Sequence, residues 1–172
     1  MTLRFLRCTL AVPLTLAITA CGSDNSPSAP GDSGSISATI NGQAWSASAP
    51  FAQAQHNQAQ SLVTLWAADP NATYGMSISL SEFTGPGTYE IRPGFPLRMA
   101  VVTLGSDPGW GTQYSGTPGT ITIAQLTSSR ATGTFQFTAE PSPSSSQTGT
   151  LMVTQGQFDV PVIVVGQGAI SP

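Results

Sequence analysis

The chain has no lysine, a single histidine (His56) and only two cysteines (Cys8 and Cys21) in 172 residues, and charged side chains make up 8% of it. That share is about a third of the usual quarter. Five arginines face eight carboxylates. So few cations cannot neutralise a run of phosphates, which excludes nucleic acid as a partner. Adhesion to an anionic membrane by charge is disfavoured for the same reason. One histidine rules out a multi-histidine metal site within one chain, and no motif implies a cofactor. Ser, Thr, Gln, Asn and Gly must cover the surface instead, as suits a β-rich exported protein.

Three parts can be read in the first 21 residues. Arg4 and Arg7 give a positive start, the stretch from Cys8 to Ala20 is apolar, and small residues close it. This is the pattern of a signal peptide, too short to cross a hydrocarbon core of about 30 Å, and Pro13 further weakens a spanning helix. The run Leu16-Ala17-Ile18-Thr19-Ala20-Cys21 resembles the lipobox of bacterial lipoproteins. The resemblance implies cleavage before Cys21 and two or three acyl chains, palmitate among them, on that cysteine. Each buried methylene contributes about 0.8 kcal/mol, and one chain alone binds only reversibly, so several chains make release negligible. Gly22 stands where the enterobacterial sorting pattern has Asp for inner-membrane retention, which implies the outer membrane. The expected location is therefore the bacterial cell envelope, with the membrane as a partner through Cys21.

Removal of residues 1–20 leaves 152 residues, enough for one domain with a real core. Three arginines (Arg92, Arg98, Arg130) then stand against all eight acids, for a net charge of −5. Cys8 leaves with the signal and Cys21 carries the lipid, so the folded domain has no disulfide and relies on its apolar core. Residues 21–35 hold the lipidated cysteine and a Ser-, Gly- and Pro-rich tether without a large apolar side chain. Such a segment cannot offset its ordering entropy, and 14 residues of coil after Cys21 reach about 20 Å.

From residue 36 to 172 the pattern has period two. Ile36, Ala38 and Ile40 alternate, and Asn41-Gly42 predicts a hairpin into residues 43–47. Further strands are expected over 61–68, 74–80, 88–91, 97–104, 120–123, 133–139, 150–154 and 158–165. Pro161 predicts an edge position or a bulge in the last of these. The expectation is an all-β fold: an antiparallel β-sandwich, or partly closed barrel, of about ten strands. Residues 141–147 (PSPSSSQ) read as a loop within one domain, and no repeat of fixed period is present.

Five strings in order resemble a family of bacterial lipoprotein domains of uncharacterised function. They are Ser37-Ala38-Thr39-Ile40-Asn41-Gly42-Gln43-Ala44-Trp45, Gly87-Thr88-Tyr89, Gly119-Thr120-Ile121-Thr122-Ile123, Gly133-Thr134-Phe135-Gln136-Phe137 and Gly156-Gln157-Phe158-Asp159-Val160-Pro161. The resemblance implies a β-sandwich tethered to a membrane and carries no catalytic residue.

Candidate chemistry is sparse. Gly31-Asp32-Ser33-Gly34 copies the string around a serine-protease nucleophile, but it lies in the tether, where nothing can aim a base at the serine. His56 reads as a solvated residue of a polar hairpin loop. Glu82 and Glu90 flank a turn region, while Asp69 and Asp107 precede proline as turn caps do. No acid sits in a recognisable catalytic string, although a carboxylate pair suited to glycoside hydrolysis is a question of distance. A calcium ion needs six or more oxygens, which so few acids hardly supply. Among the aromatics, Trp66, Tyr74, Trp110 and Tyr114 could make a stacking surface for sugar rings. Trp45 and Trp66 lie on strands and read as core. Trp110 and Tyr114 lie in a Gly-rich stretch where exposed aromatics serve binding. The expectation is a non-enzymatic envelope lipoprotein with a structural or binding role, its partner a glycan or an envelope protein. A carbohydrate-binding module using Trp110 and Tyr114 is the first alternative and a hydrolase the second. No residue is assigned a catalytic or metal-binding role.

Overall fold

Asn41 and Gly42 both take positive φ, 47° and 83°, as a two-residue hairpin turn of matching twist requires. They join β1 (Ser35–Ile40) to β2 (Gln43–Ser48), with Ile40 opposite Gln43. Asn41 is also pinned from outside: its backbone N–H donates to the Met152 carbonyl at 2.9 Å, and its Oδ1 accepts from the Met152 N–H at 2.8 Å. The computed structural model describes residues 33–71, 74–94 and 96–166. The expected signal segment, Cys21 and the tether before Ser33 lie outside these residues.

The remaining strands are β3 (Ala52–Asn57), β4 (Leu62–Ala68), β5 (Gly75–Leu80), β6 (Gly87–Ile91), β7 (Arg98–Leu104), β8 (Asp107–Gly111), β9 (Gly119–Leu126), β10 (Arg130–Pro141) and β11 (Leu151–Val165). A 3-10 turn, Thr112–Tyr114, follows β8. One layer runs β2-β1-β11-β10-β9-β6, antiparallel throughout. The other runs β11-β3-β4-β5-β7-β8-β10. The long strands β10 and β11 belong to both layers, so β3-β4-β5-β7-β8-β10-β11 forms a closed circuit. The fold is all-β, a sandwich closed into a barrel along part of its length. Among the described residues, no helix is long and apolar enough to cross a membrane.

Pro161 marks a corner. It lies opposite Arg130 on β10, and the next residue, Val162, lies opposite Ala54 on β3 in parallel register. A residue without an N–H suits the point where a strand leaves one partner for another. β1 pairs with β11 only as far as Asp159, so at Pro161 the strand has β10 alone beside it, in keeping with the expected edge position, while its earlier part lies between β1 and β10. The two strands expected over 150–165 are one 15-residue strand, bulged at Gln155, whose φ is 53°.

Two strands escaped the sequence pattern. β3 alternates Ala with Gln, and Ala52 and Ala54 are fully buried, but alanine marks the buried side weakly. β8 (DPGWG) has almost no strand-forming residue. Its Gly109, at φ 62°, lies so close to β7 that an added Cβ would stand 2.0 Å from the Val102 carbonyl oxygen.

The core lies between the layers and includes Ile36, Ile40, Leu65, Ile78, Leu80, Ile121, Ile123, Phe135, Phe137 and Phe158. Burial of such a side chain contributes about 1.5–3 kcal/mol. Phe135 stacks with Phe137 at 6.2 Å and with Phe158 at 6.5 Å between ring centroids. Glycines make room for the rings: Gly156 lies opposite Phe135, and Gly133 opposite Phe158.

Candidate ligand-binding face

Strand β4 turns Val63, Leu65 and Ala67 into the core, so the period of two turns Thr64 and Trp66 outward. Trp66 is 43% exposed. Its cross-strand neighbours are Gln53 on β3 and Ser77 on β5. The next row along the same face is Gln55, Thr64 and Ser79, with the Thr64 and Ser79 hydroxyls 3.5 Å apart. Ile163, also exposed, continues this row opposite Gln55.

A second ring joins Trp66. Phe51, just before β3, accepts a hydrogen bond from the Ala68 N–H at 2.8 Å and is 44% exposed. Opposite Ala68 it stands diagonal to Trp66, and diagonal neighbours lie roughly 7–8 Å apart. None of the residues in these rows is charged. The face offers apolar surface flanked by amide and hydroxyl groups that both donate and accept. Its side chains suit recognition of a neutral partner and supply no acid or base.

A further hollow lies on the opposite layer. It holds about 810 Å³ and is lined by Ser37, Thr39, Ser46, Thr134, Gln136, Gln155 and Gln157, among others. Thr39 Oγ1 donates to Gln155 Oε1 at 3.1 Å across it. It too is uncharged, but the exposed rings are elsewhere.

Trp110 corrects an expectation. It is 6% exposed, belongs to the core, and its Nε1 donates to the Gly149 carbonyl at 2.9 Å. The cause is β8 itself, held between β7 and β10 with Trp110 opposite both Val102 and Pro141. Tyr114, in the 3-10 turn, is 45% exposed, so the two do not form an exposed stacking pair. Trp66 reverses the other way, exposed where core was expected, because the run SLVTLWAA is apolar on both sides of its period. Trp45 is buried as expected, and Tyr74 is half-buried against the core.

His56 is no loop residue. It lies on β3, half-buried, edge-on to Phe83 at 5.7 Å and 81°. Phe83 packs on Tyr89 at 5.6 Å, and the Arg98 guanidinium lies 5.2 Å from the Tyr89 centroid. Glu90 pairs with Arg92 at 3.4 Å on the surface, a contact worth little. Glu82 takes a positive φ of 52° at its turn. Asp69 and Asp107 cap turns, accepting from Asn71 N–H at 2.8 Å and Gly109 N–H at 2.7 Å. Of the protease-like string, Gly31 and Asp32 lie outside the described residues, and the Ser33 carbonyl accepts from the Arg130 guanidinium. Among the described residues, no three His, Cys, Asp or Glu side chains group to hold a metal.

These features define a two-layered all-β domain with an uncharged, aromatic-bearing face. The chain belongs to the family described as domain of unknown function DUF6252, which it matches over residues 32–161, from just before β1 to the corner at Pro161. Neither the curated proteins nor the solved structures gave a match.

Proposed function

We propose that the chain is a lipid-anchored, non-enzymatic binding protein of the bacterial cell envelope. In this reading Cys21 carries the lipid, the outer membrane is its site, and the face around Trp66 docks a neutral glycan. The observation that carries it is an exposed tryptophan on a sheet face, with Phe51 diagonal to it and Gln53, Gln55, Thr64, Ser77 and Ser79 around them. A sugar presents C–H surface that stacks on such a ring, and hydroxyls that pair with side-chain amides and hydroxyls. A net charge of −5 after residue 20, from three arginines and eight acids, favours a neutral over an anionic partner.

Thermal unfolding of the full-length chain tests this against neutral glycans, peptidoglycan fragments, calcium and zinc. A ligand at a hundredfold excess over its Kd adds about 2.7 kcal/mol to stability. The expected result is a sugar-dependent shift that disappears in Trp66→Ala. A shift that survives this substitution moves the site elsewhere. No shift with any sugar overturns glycan docking and directs the search to envelope proteins by crosslinking in intact cells.

A further inference from the structure

The hollow on the layer opposite Trp66, at about 810 Å³, falls within the roughly 300–1,000 Å³ typical of ligand sites. Its lining spans five neighbouring strands, β2-β1-β11-β10-β9. Two rows of outward side chains cross them. In the first, Ser46 lies opposite Ser37, Ser37 opposite Gln157, and Gln157 opposite Thr134. In the second, Thr39 Oγ1 donates to Gln155 Oε1 at 3.1 Å, and Gln136 lies opposite Thr120. Neighbouring strands stand about 4.7–4.9 Å apart, and rows two residues apart along a strand are separated by about 6.4–6.8 Å. The bulge in β11 shapes the middle of the second row. Between Val153 and Gln157 this strand holds one residue more than β1 or β10 beside it. Gln155 there is exposed at a φ of 53°, so the bulge adds an amide to the face, as bulges beside functional sites do. The amides of Gln136 and Gln157 make no side-chain hydrogen bond among the described residues. No lining residue is charged. Asp159, two residues beyond Gln157, and Glu90, opposite Thr120, are paired with Arg130 and Arg92.

We infer that this hollow binds an extended, neutral oligosaccharide laid across the strands, with about one pyranose ring per strand. The strand spacing is close to the length of one ring in an extended chain. The hydroxyls on the two edges of each ring meet the two rows of hydroxyls and amides, which both donate and accept. Other classes fit worse. An ion meets no charge of opposite sign. An apolar chain covers hydroxyls and amides without giving them partners, which is costly. An extended peptide adds to a sheet edge, whereas this hollow lies on a face. With no exposed ring in the lining, recognition rests on hydrogen bonds, so affinity must accumulate along the chain. Stacking on Trp66 serves one or two rings and gives no such growth. The inference does not rest on docking at Trp66, since the two sites lie on opposite layers.

Titration calorimetry on the full-length chain carrying Trp66→Ala isolates the hollow. The probes are cello-oligosaccharides and N-acetylglucosamine oligomers of rising length, with an oligogalacturonate as the anionic counterpart. Affinity for one neutral series should rise with each added ring and level off at about five, the number of strands that the lining spans. The single sugar should bind at least roughly tenfold more weakly than the longest oligomer. Gln136→Ala and Gln157→Ala replace exposed side chains, so melting curves should stay near the parent's. Each should weaken the longest oligomer roughly fivefold. If the Trp66→Ala chain binds neither neutral series, the inference is overturned, and any binding by the parent belongs to the outer face. Affinity that does not depend on length, or that survives Gln136→Ala and Gln157→Ala combined, also overturns it. Equal binding of the oligogalacturonate overturns the ligand class. Length-dependent binding that is the same with and without Trp66 supports this site and overturns docking at Trp66.

Discussion

Asp107, at the start of β8, accepts a hydrogen bond from the Ser145 hydroxyl at 2.5 Å across 38 residues of chain. The same carboxylate takes the Ser146 hydroxyl at 2.6 Å, the Ser146 N–H at 3.0 Å and the Gly109 N–H at 2.7 Å. The loop that follows β10 is thus tied onto β8, and its Gly149 carbonyl receives Trp110. A turn cap and a loop latch are one group here.

This latch has a pH signature. The Ser145 hydroxyl first, then those of Ser146 and the N–H groups of Gly109 and Ser146, hold the Asp107 carboxyl far below its ordinary value of 3.8. A depressed folded-state value means the contribution is fully present above the unfolded value and is lost progressively as pH falls below it. Asp107→Ala should therefore melt at a lower temperature than the parent at pH 7, and the gap should narrow as pH falls below 3.8. Paired melting curves between neutral and acid pH check this, and a gap that is constant with pH contradicts it.

Gly133 should not tolerate a side chain. A Cβ there would stand 2.0 Å from the Thr122 carbonyl oxygen and 2.5 Å from the Phe158 ring, so both backbone and core must move. Gly133→Ala should cost about 1–3 kcal/mol or more, as overpacking does. Gly116→Ala meets nothing within 4 Å, and it should stay within about 1 kcal/mol of the parent. Urea denaturation of the two variants compares them directly, and equal midpoints would refute the close packing of β9 on β10.

The tryptophans should separate by stability as they do by exposure. Trp110→Ala removes a ring that is 6% exposed together with its bond to Gly149, a loss of about 3–5 kcal/mol for a buried large aromatic. Trp66→Ala removes a ring that is 43% exposed and should cost well under half of that, about 1 kcal/mol. Denaturant midpoints decide it. A Trp66 variant as unstable as the Trp110 variant would place Trp66 among the core residues and weaken its candidacy as a docking ring.

How far the sequence could be read depended on contrast within its period of two. Where Ile36, Ala38 and Ile40 alternate with Ser and Thr, strand and inward face were both legible, and Asn41-Gly42 marked the turn. In SLVTLWAA both faces are apolar, so the strand was legible and the direction of Trp66 was not. In DPGWG the local preferences argue for a loop. The strand exists because β7 and β10 flank it and Gly109 permits the close approach. Local pattern therefore points Trp110 to the surface and Trp66 to the core, the reverse of their places.

The anchor is the most direct part of the proposal to test. A chain with a net charge of −5 after residue 20, three arginines against eight acids, has no electrostatic hold on an anionic bilayer. Among the described residues no helix is long and apolar enough to cross one, and under the proposed reading membrane retention depends on acyl chains at Cys21. In cells fed labelled palmitate, the parent chain should carry label and sediment with the outer membrane. Cys21→Ser should lose the label and leave the membrane fraction, with the folded domain intact by its melting curve. Gly22→Asp should keep the label and, where the enterobacterial sorting pattern applies, shift to the inner membrane. If Cys21→Ser stays with the membrane, lipid at Cys21 is not the anchor, and the strands or a protein partner must hold the domain there.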